Sequence, residues 1–397
     1  MRRLAMALAA ACLPAIAGAQ DALLPQTSWG LAPIYSSWNL NTAIGGGRTV
    51  RDVSEFAVPF RARTTLGDNW SMDVSGAFAS GQVNIRESDG SLSKLALGGV
   101  TDIKLRASGN LAGDALLLTL GLNLPTGATK LGGDQTTALQ ALGAPALRLP
   151  VGAFGTGAGA TVGLVGGFQR EQWAYGLGVS IEQRTEYTPI ALSLSSGTSS
   201  TAVTPGTAIH VSLGADGVVG ESRVNFLVIT DFFAKDKVVI GSGGNGADAR
   251  GDYTLGPQVT AIAAVDLSAP GWRERSFNVS VRQRTAFTDA SGARVSGSSG
   301  TYLDAAWNGV RGRTDGPGFV IGFDARWQSG LSFTESLVGA QAMMVGETVG
   351  VEWPTDGALF RIAARAQGGS LTTTGGKSKV VVGFGLVGAI AARRESH

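Results

Sequence analysis

A two-residue period of apolar and polar positions runs through most of the chain. In the segment 275–287, the apolar side chains of Phe277, Val279 and Val281 alternate with polar ones. Successive side chains of a strand point to opposite faces, so this segment predicts a strand that is apolar on one face and basic on the other. The same division recurs at 54–63, 70–78, 101–108, 115–124, 173–187, 222–233, 319–327, 358–366 and 380–388. The pattern predicts an all-β protein.

The connections between these segments alternate in length. Short links, such as 354–357, take turns with longer ones at 125–148, 188–205, 235–251 and 288–300. A transmembrane barrel has short turns on its periplasmic rim and longer loops on the other. We therefore expect an antiparallel transmembrane β-barrel of about 16 strands, with 12–16 compatible with the pattern and both chain ends in the periplasm.

Tryptophan positions favour the same architecture. Five of the eight tryptophans lie in or beside the short links: Trp70, Trp173, Trp272, Trp307 and Trp353. Amphipathic rings concentrate at the membrane–water boundary, so these five are predicted to form an aromatic girdle on one rim.

Charged side chains occupy the face opposite to the apolar one. The residues predicted to line the lumen are Arg61, Arg63, Lys104, Arg106, Arg184, Arg282, Arg284, Arg326, Arg361, Arg365, Asp73, Glu182 and Asp324. Buried unpaired ions cost several kcal/mol each, so these charges predict a wet or salt-bridged interior. Glu347 does not fit, because it shares a face with Val349, Val351 and Trp353. This pattern indicates a bulge or a rim position at Glu347.

The first residues resemble a secretory signal peptide. Two arginines precede a short apolar run that ends in Ala17-Gly18-Ala19, which predicts cleavage after Ala19 and a single barrel domain over 20–397. The only cysteine, Cys12, lies inside this segment, so no disulfide is expected; a lipoprotein acylated at Cys12 is a less favoured interpretation. Export and strand pattern together predict the outer membrane of a Gram-negative cell. The formal net charge of +2 argues against a nucleic-acid partner.

Few residues suggest catalysis. His210 and Ser212 share a face, and one alternative is an outer-membrane barrel hydrolase that uses this pair. Two residues on one strand do not establish a nucleophile and base, which also need an orienting third group, so no enzyme activity is expected. With two histidines and one cysteine in the whole chain, no metal site is expected either. No glycine-rich segment has the helix that a nucleotide site needs, so no cofactor is expected.

One hairpin carries a family resemblance. The segment 98–133 places Gly99 and Asp102 before a short turn and a second strand that ends in Leu-Pro-Thr-Gly at 124–127. It resembles a recurring segment of outer-membrane proteins associated with the phenol meta-cleavage pathway, a family of transporters. The resemblance implies a barrel and passage of small, often aromatic or apolar, compounds. Passive uptake of small solutes is therefore the expected function, with outer-membrane lipid, the solute and the barrel-assembly machinery as partners; a structural or adhesive barrel is the other alternative.

Overall fold

The computed structural model describes residues 29–392 except 46, 67–68, 113–114, 195–196, 242–248, 314–315, 331–340, 356 and 373–376. The predicted signal peptide at 1–19, with Cys12, lies outside the described residues. So does the C-terminal His397.

Most described residues belong to strands. In chain order the strands are β1 (Trp29–Leu31), β2 (Ile34–Gly45), β3 (Arg48–Leu66), β4 (Trp70–Arg86), β5 (Leu92–Val100), β6 (Ile103–Leu111), β7 (Leu116–Leu124), β8 (Gly159–Arg170), β9 (Trp173–Arg184), β10 (Tyr187–Leu194), β11 (Gly197–Thr204), β12 (Ala208–Val219), β13 (Ser222–Phe233), β14 (Lys237–Gly241), β15 (Ala249–Arg250), β16 (Gln258–Asp266), β17 (Trp272–Arg284), β18 (Gly300–Gly312), β19 (Gly318–Ser329), β20 (Gln341–Thr355), β21 (Ala358–Thr372) and β22 (Lys379–Ala392). Helix α1 (Gly133–Leu142) and a 3-10 helix (Pro145–Leu147) lie between β7 and β8.

The described residues form a closed antiparallel barrel of sixteen strands, which confirms the predicted fold and strand number. Two barrel strands are interrupted: β1 and β2 form the first, and β5 and β6 the fourth. Trp29 pairs with Ala392, so the first and last strands close the barrel. The start of the first strand and the end of the last strand lie on the same rim, here called the terminal rim. The longer connections lie on the opposite rim, called the loop rim. Strands β10, β11, β14 and β15 form a separate four-stranded sheet within these longer connections.

The two faces of the wall differ in polarity. Large apolar side chains stand on the outer face, where Leu177 is 62% exposed and Leu213 is 60% exposed. Over much of the inner face, charged and polar side chains alternate with them. An apolar outer band around a polar interior is the arrangement of a barrel that spans a membrane.

No helix among the described residues is long and apolar enough to cross a membrane.

The tryptophans of the predicted girdle all lie on the outer face toward the terminal rim. Three of them stand beside a glycine of the next barrel strand: Trp70 by Gly109, Trp173 by Gly217 and Trp272 by Gly309. A Cβ at each glycine would come within 2.4 Å of the indole ring, so any larger residue would push the ring off the wall. The absence of a side chain at these glycines lets the rings lie flat on the sheet.

Glu347 lies at neither a bulge nor a rim. The register of β20 is unbroken from Gln341 to Glu352 with β19 and from Gln341 to Thr355 with β21, and Glu347 is in the middle of that strand on the outer face. The sequence-based expectation was wrong because it treated a glutamate on a lipid-facing surface as incompatible with a regular strand.

The first test concerns the two faces of β17. Val279→Arg should prevent assembly in lipid, because a charge on the lipid side near the midplane costs about 2–4 kcal/mol. Ser280→Arg is the matched control: Ser280 faces inward opposite Asp304, which can pair with the new guanidinium. The folded fraction is measured by the heat-dependent gel shift of refolded protein. Equal folding of the two variants would show that the faces are assigned wrongly.

Candidate permeation path

The connection between β7 and β8, residues 125–158, is tied to the wall by one carboxylate. Asp102 lies at the interruption of the fourth barrel strand and is 6% exposed. Its Oδ1 accepts a hydrogen bond from the Gly127 amide at 3.0 Å, and its Oδ2 accepts one from the Thr156 amide at 2.7 Å. The Asn123 side chain donates a further hydrogen bond to Oδ2 at 2.9 Å. Asp102 therefore holds both ends of this connection, which we call the inner loop.

The residues around Asp102 explain the motif found in the sequence. Gly99 has a φ of +149°, a value that L side chains rarely adopt, next to the point where β5 ends. A Cβ at Gly127 would lie 1.9 Å from the carbonyl oxygen of Phe154, so only glycine fits there. The Thr126 side chain bonds to the backbone at the break between β5 and β6. Its hydroxyl donates a hydrogen bond to the Thr101 carbonyl and accepts one from the Ile103 amide. The motif thus builds the anchor of the inner loop.

The inner loop packs against a dry part of the inner wall. The Trp38 indole, fully buried, donates a hydrogen bond to the Leu147 carbonyl at 2.9 Å. Leu142 of α1 lies against Gly81, where a Cβ would come within 2.4 Å of its side chain. The apolar cluster joins wall residues Leu40, Val50, Val53, Val83, Ile85, Leu95, Leu97, Met344, Leu371 and Val381 to loop residues Leu131, Ala138, Ala141, Val151 and Phe154. Burial of this apolar surface holds the inner loop inside the barrel.

Glu55 is an ionisable residue within this dry part. It is 1% exposed, and its Oε2 accepts a hydrogen bond from the Val151 amide at 3.3 Å. The sequence predicts a wet or salt-bridged interior; the structure divides the inner face into an apolar part under the inner loop and a charged part elsewhere. Alternation along single strands could not reveal this division, because the covering segment comes from a distant connection.

A second contact of the inner loop is ionic. Arg148, in the left-handed conformation after the 3-10 helix, places its guanidinium 3.5 Å from Asp304 and 3.6 Å from Asp324. Arg326 donates to the Ala146 carbonyl at 3.1 Å, and Arg365 pairs with Asp324. The loop backbone and Arg148 therefore join the charge network of β18, β19 and β21. Sequence reasoning missed Arg148, which has no strand periodicity to reveal it.

The facing wall carries a continuous polar row. His210 Nδ1 lies 2.7 Å from Asp231, whose other oxygen accepts a hydrogen bond from Gln258 at 3.0 Å. Arg284 donates to the Gln258 side-chain oxygen at 3.2 Å, and the Glu182 carboxylate lies 3.6 Å from His210 Nε2. These residues come from five adjacent strands, β9, β12, β13, β16 and β17. We call this set the polar row.

Aromatic rings accompany the arginines beside the polar row. The Arg282 guanidinium lies 6.0 Å from the centre of the Tyr302 ring, and that of Arg284 lies 6.0 Å from the Phe233 ring. Helix α1 and the 3-10 helix contact β3, β4, β5, β10, β19 and β20. The inner loop thus leans on one side of the barrel, and the polar row and its arginines lie on the other.

All thirteen residues predicted to line the lumen lie on the inner face, but they belong to separate groups. Toward the terminal rim, Arg61 pairs with Asp73 at 3.1 Å, and Arg63 donates to the Ser71 hydroxyl at 3.2 Å. Arg361 pairs with Glu352 in the same half. Lys104 is exposed to the interior, with Arg106 two residues further along β6. Arg184, Glu182, Arg282 and Arg284 lie at or beside the polar row, and Arg326, Arg365 and Asp324 at the contact with Arg148.

The segments that flank the small sheet of β10, β11, β14 and β15 are joined to each other at the loop rim by polar and aromatic contacts. Asp236 accepts a hydrogen bond from the Gly206 amide at 2.6 Å, and Tyr253 contacts Phe287 edge-on at 6.2 Å. Burial raises the pKa of the Tyr253 phenol, and the nearby Asp236 carboxylate raises it further. The phenol therefore stays neutral even at a pH near its ordinary pKa of about 10.

The geometry around His210 does not favour a hydrolase. Its two ring nitrogens face two carboxylates, Asp231 at Nδ1 and Glu182 at Nε2. A general base needs one nitrogen directed at the nucleophile's hydroxyl. Both nitrogens of His210 are instead directed at acids, so the arrangement is that of an ion-pair network.

No protein-family model matches the chain, and no curated protein matches it. Among solved structures, the chain is similar to a loop-deletion mutant of OmpT, an outer membrane protein of Vibrio cholerae, with 13% identity, coverage of 92% of this chain and 98% of that chain, and a TM-score of 0.41. It is also similar to OprB of Pseudomonas putida, with 9% identity, 95% and 97% coverage and a TM-score of 0.43. The CymD monoaromatic hydrocarbon channel matches with 7% identity, 94% and 90% coverage and a TM-score of 0.39.

The anchor of the inner loop can be tested directly. Asp102→Ala should release the loop, because each buried amide left without an acceptor costs about 1–3 kcal/mol. Hydrogen exchange at residues 127–156 should rise while the barrel strands stay protected. Asp134→Ala, an exposed acid on α1 of the same loop, is the control and should change nothing. Unchanged exchange in Asp102→Ala would mean that apolar packing alone holds the loop.

Proposed function

We propose that the chain is an outer-membrane channel for the passive passage of small solutes. The observation that carries the proposal is the division of the inner wall. The inner loop covers one side of the interior, whereas the polar row with Arg282 and Arg284 lies on the other. On this proposal, the charged wall beside the anchored loop lines a hydrated route that needs no energy source. On this proposal the terminal rim faces the periplasm, and assembly depends on the barrel-assembly machinery.

The proposed solutes are small and polar or charged. At the polar row and at the contact of Arg148 with the wall, the arginines Arg148, Arg184, Arg282, Arg284, Arg326 and Arg365 outnumber the acids Glu182, Asp231, Asp304 and Asp324. An excess of positive charge raises the local concentration of anions within about 8 Å at physiological salt. The rings of Tyr302 and Phe233 beside the arginines add apolar surface. Aromatic compounds, which the resemblance of the 98–133 hairpin implies, fit this passage best when they carry a negative charge.

Conduction is tested with folded protein in planar lipid bilayers. Stepwise current increases are expected, with heat-unfolded protein as the control. A variant in which a short Gly-Ser link replaces residues 130–153 should conduct more, because the inner loop occupies part of the interior. No current from either protein would favour a structural or adhesive barrel.

Selectivity is a separate prediction. The open channel should show weak anion preference, strongest at low salt, because screening shortens the reach of the wall charges. Arg282→Ala combined with Arg284→Ala should reduce this preference. The exposed pair Arg86→Ala and Lys94→Ala, on the outer face near the loop rim, is the control and should leave it unchanged. Reversal potentials in a salt gradient measure the effect, and cation preference in the unmodified protein would contradict the assignment.

A further inference from the structure

Glu347 is an unpaired carboxylate on the apolar outer wall. Among the residues that the structure describes, none forms a hydrogen bond or ion pair with it. Its outer-face neighbours are Val345 and Val349 on β20, with Phe323 and Ala366 opposite it on the adjacent strands. The exposed carboxylate is therefore surrounded by apolar side chains.

Its depth prevents water or lipid headgroups from satisfying it. Glu347 is six residues along β20 from Trp353, which stands in the girdle at the terminal rim. With a strand rise of about 3.3 Å and a tilt near 40°, this separation is roughly 15 Å along the membrane normal. The apolar band of such a barrel is about 25 Å tall, so a short glutamate side chain reaches neither edge. Lipid tails offer no hydrogen-bond donor.

The outer surface beside Glu347 has a groove of small residues next to a ridge of large ones. Strand β21 presents a strip of small outward residues, Ala364, Ala366 and Gly368, which we call the small strip. The adjacent β22 presents a ridge formed by Phe384 and Leu386, each 47% exposed. Small residues allow two membrane-embedded surfaces to approach closely. Toward the terminal rim, an apolar hollow of about 450 Å³, lined mainly by Pro33, Trp353, Phe360 and Ile390, continues the depression.

A hydrogen-bond donor lies on the far side of the ridge. Tyr35 on β2 is 40% exposed on the outer face. Tyr35 pairs with Leu386 on β22, Leu386 pairs with Ala364 on β21, and Ala364 pairs with Val349 on β20. Val349 is the next outward residue after Glu347 on β20. The strands that carry the phenol and the carboxylate are thus three inter-strand spacings apart, which is about 14 Å. The small strip and the ridge lie between them.

We infer that two copies of the chain pair through this face, around a two-fold axis along the membrane normal that passes between β21 and β22. In a two-fold contact each patch meets its own counterpart in reverse order. The small strip of one copy then receives the ridge of the other, and Glu347 accepts a hydrogen bond from the phenol of the second copy's residue 35. The contact is made twice, so both carboxylates gain a donor. This inference requires the membrane-spanning barrel but not conduction.

The assembly is tested by native mass spectrometry in lipid nanodiscs. The unmodified protein should be a dimer. Glu347→Ala and Tyr35→Phe should each raise the dimer dissociation constant about tenfold to a hundredfold, because each substitution removes both symmetric hydrogen bonds and one hydrogen bond in a membrane contributes about threefold to tenfold. Ala366→Trp should abolish the dimer by filling the small strip. Ala261→Trp, at an exposed outward alanine of β16, is the matched control and should remain dimeric.

Cysteine pairing gives an independent test in a Cys12→Ser background. Chains with Ala366→Cys, mixed with chains with Leu386→Cys, should form disulfide-linked dimers. The control mixture, Ala261→Cys with Val228→Cys, places the cysteines on neighbouring strands of another part of the wall and should form none. Monomers, three-fold assemblies, or dimers that Glu347→Ala and Ala366→Trp leave intact would each overturn the inference. If Ala366→Trp fails to fold by gel shift, the cysteine mixtures decide.

Discussion

The interior of this barrel depends on the hydrogen bonds of one buried carboxylate. Asp102 accepts the amides of Gly127 and Thr156, and thereby fixes the entry and exit of a long connection to the same point of the wall. A free connection of this length would carry a considerable conformational entropy. With both ends held and apolar side chains between them, burial against the wall outweighs that cost. The anchor fixes the two ends of the segment that makes the other inner-loop contacts, from Trp38 to Arg148.

The anchor also explains why the inner face has two characters. Under the inner loop, the wall can be apolar because water is excluded there, and Glu55 is tolerated with a backbone amide as its partner. Away from the loop, charges lie beside opposite charges or beside polar groups, as in the row from His210 to Arg284. Charged wall residues are therefore distributed according to where the loop lies. The strand pattern alone does not determine their distribution.

Sequence reasoning predicted the features that arise from local periodicity. The inward position of Arg282 and the outward position of Val279 follow from strand alternation, and the rim position of Trp173 follows from its place after a short turn. The motif at Gly99 and Asp102 was recognisable as a recurring hairpin, but its role was not, because Asp102 bonds to residues up to 54 positions away. Arg148 was missed for the same reason. Glu347 was misplaced because a glutamate on the apolar face was taken as a sign of a bulge or a rim, whereas it lies in a regular strand.

The pairing of Trp29 with Ala392 makes the hydrogen-bond ladder of the barrel cyclic. Because every strand then has two neighbours, the wall offers no exposed edge to which another chain could add a strand. The two paired residues also lie side by side on the rim that carries the short turns. A circular permutation that joins 29 to 392 and opens the chain at another terminal-rim turn would keep every pairing between strands. The barrel therefore does not depend on which of its strands comes first in the sequence.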